Sequence, residues 1–215
     1  DILLDLTDKI ESSEKINMDS YYKDIAELYQ YDGKTYAIPK DYDTIALWYN
    51  KKMFDEANIA YPDDTWTWND FADAAKKLTA ADGSQYGTAI PGTFNQDGYY
   101  NLIYDMGGYI VSNNKKKSGW DDPKTIAAMQ WLYDNVVTTS MPKQETMGET
   151  TPDVLFSSGK IAMALQGSWM TASMRDNEFV SENCDVAVLP KADDGTRKSI
   201  YNGLGWAASA SGSNT

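Results

Sequence analysis

Histidine is absent from this 215-residue sequence, and cysteine occurs once, as Cys184. The first absence removes the commonest general base and the commonest metal ligand; the second excludes an internal disulfide and a thiolate metal cluster. With Val186, Ala187, Val188 and Leu189 beside it, Cys184 reads as a small buried hydrophobe rather than a nucleophile, which would need a base partner. Positive charge is also scarce. Nineteen Lys and Arg stand against 32 Asp and Glu, a formal net charge of −13, which repels phosphate backbones, so no nucleic-acid partner is expected. The basic run Lys115, Lys116, Lys117 lies between Asn114 and Ser118 and reads as a solvated hairpin tip. No apolar stretch approaches the roughly 20 residues that a membrane-crossing helix requires.

Cofactor signatures are missing as well. The sequence holds no phosphate loop, dinucleotide fingerprint, nucleophile elbow or EF-hand loop, so neither a cofactor nor a metal site is expected, and Gly107-Gly108 reads as a turn. Paired carboxylates held roughly 5 to 9 Å apart would hydrolyse a glycoside, and Asp41, Asp43, Asp97 and Glu178 are admissible partners. Nothing in their spacing selects a pair, and the reading is of a protein that is not an enzyme.

Aromatic residues, by contrast, are abundant: seven Trp and 15 Tyr exceed what a core needs, because their polar atoms want partners when buried. Rings that stack on the C–H faces of a pyranose, together with carboxylates and amides that bind its hydroxyls, suit a saccharide; a tyrosine-rich surface suits a protein partner equally.

Short helices and strands alternate along the chain, which predicts α/β layers around a mostly parallel or mixed sheet. Thr67 is a suitable N-cap for a helix through Leu78 with Trp68, Phe71, Ala72 and Ala75 on its buried stripe. Asp122-Pro123 opens another helix, whose buried face is expected to carry Ile126, Met129, Tyr133 and Val136. Residues 97–106 read as a helix closed by Gly107. The run 45–49 is apolar without alternation, as in a strand covered on both faces. Because the chain opens at Asp1 without Met and stops soon after a strand-like run, it is expected to be part of something longer.

An ordered set of motifs then carries a resemblance. Asp41-Tyr42-Asp43-Thr44-Ile45-Ala46-Leu47-Trp48-Tyr49-Asn50-Lys51-Lys52-Met53-Phe54 resembles the first interlobe crossing of the family 1 extracellular solute-binding proteins, the maltose-binding-protein-like group that serves ABC transporters. Thr65-Trp66-Thr67-Trp68-Asn69-Asp70-Phe71, Asp105-Met106-Gly107-Gly108, the run 155–163 leading into Gly167-Ser168-Trp169, the run 186–190 and the run 202–209 follow in the family's order. The likeness spans essentially the whole chain.

The resemblance implies a periplasmic-binding-protein-like (type II) fold of two α/β lobes closing on a solute, here mainly the second lobe with parts of the first. It places the end of the first lobe at 1–46, the second lobe at 47–186 and the return to the first at 187–215. It implies capture of a mono- or oligosaccharide by an extracytoplasmic monomer, periplasmic or lipid-anchored, that delivers to membrane permease subunits. Among the residues, Trp169 matches a tryptophan that stacks on sugar, its alternative being a core indole. Asp43 matches a polar ligand group or else a strand-end carboxylate. Asn95, Gln96 and Asp97 match a solute-contacting loop, with Asp97 alternatively an N-cap. Tyr42 and Trp206 match cleft positions or hinge packing. Gly203 and Gly205 are expected to allow close backbone approach. A carbohydrate-active enzyme and an aromatic-rich adhesion module are the competing functions.

Overall fold

The computed structural model describes residues 2–93 and 95–212. Its first stretch runs α1 (Thr7–Glu11), α2 (Lys23–Glu27), β1 (Gln30–Tyr31), β2 (Lys34–Thr35), β3 (Ile38–Pro39) and β4 (Asp43–Asn50). Then come α3 (Lys51–Glu56), α4 (Trp68–Lys77), β5 (Tyr86–Thr88), α5 (Tyr100–Asp105), α6 (Pro123–Leu132), α7 (Thr138–Ser140), α8 (Gln144–Glu149) and α9 (Pro152–Ser157). The chain closes with β6 (Ile161–Gly167), α10 (Thr171–Asp176), α11 (Glu178–Asn183), β7 (Cys184–Ala187), β8 (Tyr201–Asn202) and β9 (Gly205–Trp206). Among the described residues no helix is long and apolar enough to cross a membrane.

Two compact units emerge, one holding the residues up to Thr44 and from Tyr201 onward, the other Ile45–Ile200. In the first unit, β1 and β2 form a hairpin turned by Asp32 and Gly33, both at positive φ, the geometry for which Asp-Gly is the preferred pair. Strand β3 pairs antiparallel with β9, and Asp43 and Thr44 pair with Asn202 and Tyr201. Gly203 sits so close to the Asp41 carbonyl that a Cβ would come within 2.4 Å of that oxygen, so glycine is what the close approach requires.

The second unit is built on the strand order β5-β6-β4-β7. The sheet is mixed: β5 and β6 are parallel, while β4 has antiparallel partners on both edges. Along β4, Ile45, Leu47 and Tyr49 enter a core shared with Phe71 of α4, Leu102 of α5 and Leu132 of α6. Trp48 points the other way, among Phe156, Met174, Val180 and Cys184. Helices therefore cover both faces, which explains why the strand lacks alternation. Burial pushes the Cys184 thiol up to about 12, so it stays a protonated, inert packing group.

Helix α4 begins as its sequence dictates. Thr67 and Asp70 cap each other's backbone amides, and Trp68, Phe71, Ala72 and Ala75 are buried, a capping box ahead of an apolar stripe. Helix α6 also starts at Asp122-Pro123; of its expected face, Val136 is buried and Met129 packs against the core, but two positions turn outward. Ile126 and Tyr133 are 53% and 56% exposed, whereas Thr125, Ala128, Leu132 and Val136 face inward. The cause is Thr125, whose hydroxyl donates to the Tyr109 carbonyl at 3.0 Å and accepts from the Tyr109 amide at 3.1 Å. That pair of bonds sets the rotation of the helix, and positions three or four residues apart follow Thr125 inward.

Candidate ligand-binding site

Strands β5 and β6 run parallel, with Tyr86 opposite Ile161 and Thr88 opposite Met163. The segments that follow them, 89–99 and 168–170, therefore emerge at the same end of the sheet, where open α/β folds hold their ligands. Trp169 lies in the second of these segments, within a 3-10 turn spanning Ser168–Met170. It is not a core indole: 39% of it is exposed. Its ring lies over Gly167, where any Cβ would come within 2.1 Å of the indole. Glycine at the end of β6 is what lets the flat ring lie down and present a face.

The first segment ends in a π-type turn, Asn95–Tyr99, kinked at Gly98 and packed against β6. Here the sequence expectation needs correction. Helix α5 begins at Tyr100, and its N-cap is Tyr99, so Asp97 is not a capping residue. It is instead buried at 8% exposure; burial raises its carboxyl above the ordinary carboxylate range, and the charge of Asp153 adds to the effect. Asn95 is exposed and its side chain accepts from the Gln96 amide at 2.6 Å, while Gln96 is half-buried. The turn is held from below by Asn101, whose side-chain amide donates to the Gln96 carbonyl at 2.9 Å and the Gly98 carbonyl at 3.1 Å.

Two aromatic residues adjoin the turn that sequence reading did not assign to it. Tyr99 packs edge-on to Tyr100 at 5.2 Å, and its ring centre lies 6.1 Å from that of Trp120, which is 46% exposed. Trp120 is separated from the turn by α5 and a hairpin, so no short-range pattern points to it, whereas Asn101 lies only three to five residues beyond the carbonyls it holds.

Deeper in the unit, Asp105 accepts from the Trp68 indole at 2.9 Å and from the Lys198 amide. Burial outweighs these bonds and raises its carboxyl to about 6. Trp68 is thus a structural residue, as its place on the buried stripe of α4 implies.

The other three candidates lie in the first unit. Asp43 is half-buried and opens β4 opposite Asn202. Tyr42 is exposed and meets Tyr22 edge-on at 5.5 Å. Trp206, on β9 opposite Ile38, is 65% exposed. Next to them Asp41 is occupied by Lys40 at 2.6 Å and the Leu204 amide at 2.9 Å, and these bonds hold its carboxyl below the usual range. Trp169 and residues 95–97 lie at the same end of the sheet of the second unit; Tyr42, Asp43 and Trp206 belong to the first.

The model of the bacterial extracellular solute-binding protein family matches residues 1–215. The chain belongs to that family. Like other extracellular solute-binding proteins it has the type II periplasmic-binding-protein fold. It superposes on an ABC substrate-binding protein from Listeria monocytogenes, in complex with cycloalternan, with a TM-score of 0.89 at 28% identity, over 99% of this chain and 53% of the Listeria chain. In sequence it is 28% identical to the galactooligosaccharide-binding protein of Bacillus subtilis over 85% of this chain and 44% of that protein. It is 25% identical to the maltotriose-binding protein of Pyrococcus abyssi over 70% of this chain and 30% of that one. The chain therefore spans about half or less of the length of each of these relatives.

Proposed function

We propose that this chain carries part of the solute-binding component of an ABC importer, which captures a mono- or oligosaccharide outside the cytoplasm and delivers it to membrane permease subunits. Its work is reversible binding, with no bond made or broken. The names of the Bacillus and Pyrococcus relatives and the bound sugar of the Listeria protein support the ligand class. The observation that carries the reading to this chain is Trp169, a half-exposed indole laid over Gly167 just past the C-terminal end of β6 in the parallel pair. An exposed ring is a platform for a pyranose face, and the polar groups of Asn95, Gln96 and Asp97 at the same end of the sheet are donors and acceptors for its hydroxyls.

In this reading Tyr42, Asp43 and Trp206 serve the opposing lobe, residues 1–46 and 187–215 belonging to that lobe and its crossings and 47–186 to the lobe of Trp169. Closure of the two on the solute is the binding step. A native mass-spectrometry screen of the full-length encoded protein against a saccharide library is expected to retain one or a few sugars. Retention of peptides or polyanions with no sugar retained would refute the ligand class.

A further inference from the structure

Asn101 is fully buried on α5, and its side chain serves two places at once. Its amide nitrogen donates to the carbonyls of Gln96 and Gly98, and its oxygen accepts from the amide of Ile200 at 2.8 Å. The orientation of the group is fixed by these partners, because exchanging oxygen and nitrogen would set acceptor against acceptor and donor against donor. Gln96 and Gly98 belong to the turn of the proposed saccharide site. Ile200 is the last residue of the second unit, directly before β8.

The stretch ending at Ile200 is tied to the same helix and to the start of the unit. One turn along α5, Asp105 takes the amide of Lys198, whose ammonium reaches the Tyr104 carbonyl at 3.1 Å. Ser199 accepts from the amide of Ile45 at 2.9 Å, the residue at which the chain enters this unit. Residues 198–200 are therefore bound to α5 by two buried side chains and to the entering strand by the partly buried Ser199. Because the side-chain amide of Asn101 is planar and rigid, a displacement of the Gln96 and Gly98 carbonyls turns its oxygen relative to Ile200. Any of the three bonds broken alone would strand a buried polar group, so they move together.

We propose that Asn101 is a positioning residue that couples occupancy of the 95–99 turn to residues 198–200, where the chain leaves the unit. The proposal rests on the saccharide-binding reading for the identity of the effector, and it goes further by naming the route from ligand to hinge segment. The test is residue-resolved hydrogen exchange on the full-length protein, with and without maltotriose or a galactooligosaccharide, on wild type and Asn101→Asp. In wild type the saccharide should slow exchange across residues 95–99 and, together with them, at the Ile200 amide, by roughly tenfold or more. The Lys191 amide, bonded to the Trp66 carbonyl, should not respond. A response of the turn with none at Ile200 overturns the coupling without recourse to any variant.

Asn101→Asp keeps an acceptor for Ile200 but loses both donors to the turn. Saccharide affinity should fall by roughly tenfold and the ligand-dependent protection of Ile200 should disappear, a signature that simple loss of stability would not produce. Wild-type affinity with protection of Ile200 retained overturns the proposal. If neither saccharide binds wild type, the effector is another solute and the coupling is decided in the ligand-free protein. There, the carboxylate is repelled by the two carbonyls, and Ile200 should exchange faster in Asn101→Asp than in wild type; an unchanged rate overturns it.

Discussion

Replacing Trp169 with alanine is expected to weaken saccharide binding by about 2–3 kcal/mol, roughly 30- to 150-fold, the range for a central aromatic anchor. Gly167 leaves room for the indole to lie over it, and 39% of Trp169 is exposed. Removing the ring deletes the platform for the sugar's C–H face but strands no buried polar group. Stability should accordingly change by about 1 kcal/mol or less, as for a partly exposed side chain outside the core. Calorimetric titration of the sugar retained in the screen, paired with denaturant unfolding of the same samples, separates the two effects. Unaltered affinity would remove Trp169 from the site. A large loss of stability would make it a packing residue.

The second large effect is on stability as a function of pH. Asp105 is almost wholly buried between Trp68 and Lys198, and its carboxyl is raised from the ordinary 3.8 to about 6. Between these values the folded chain binds the proton that the unfolded chain has released, so the contribution of this group to stability falls as pH rises through the window and is level above it. The full change is about 3 kcal/mol for a shift of this size. Asp97 is raised as well and works in the same direction. The measurement is therefore a difference: urea unfolding of wild type and Asp105→Asn at steps from pH 4 to 7. Wild type should lose about 2 kcal/mol relative to the variant across that range, most of the full change. The variant itself has a constant offset, because its amide sets one donor against the Trp68 indole or the Lys198 amide, but that offset does not titrate. A difference independent of pH would show that Asp105 is ionised throughout and its burial fully compensated.

Local signals carried much of the fold. The Thr67 and Asp70 capping box, the Asp122-Pro123 start and the unalternating apolar run of β4 each act within a few residues, and each is where its chemistry demands. The inward face of α6 was only half legible, with Met129 and Val136 placed inward as read, because one hydroxyl meeting the Tyr109 backbone, 16 residues away, turns Thr125 in and Ile126 out. Asp97 looked like a cap because acids precede helices so often. The kink at Gly98 moves the helix start to Tyr100 and leaves the carboxyl buried instead.

The candidate site divides in the same way. Gly167-Ser168-Trp169 could be read as a unit, since adjacent residues alone seat the indole. Trp120 could not, because it meets Tyr99 only once a helix and a hairpin have folded between them, and the bond of Asn101 to Ile200 could not, because it spans 99 residues. Likewise, Gly203 could be foreseen as a close approach, but not that its neighbour would be the Asp41 carbonyl. What sequence spacing omits is long-range pairing between buried polar groups, such as Asn101 with Ile200 and Asp105 with Trp68.

The most direct measurement is an NMR titration of the indole N–H groups in uniformly nitrogen-15-labelled full-length protein, with the signal of Trp169 assigned by Trp169→Phe. On addition of the retained saccharide, the Trp169 resonance should shift in a saturable way, while those of the buried Trp68 and Trp48 stay in place. A saccharide that binds with the Trp169 signal unmoved would contradict the account, because the sugar would then be held somewhere other than the ring laid over Gly167.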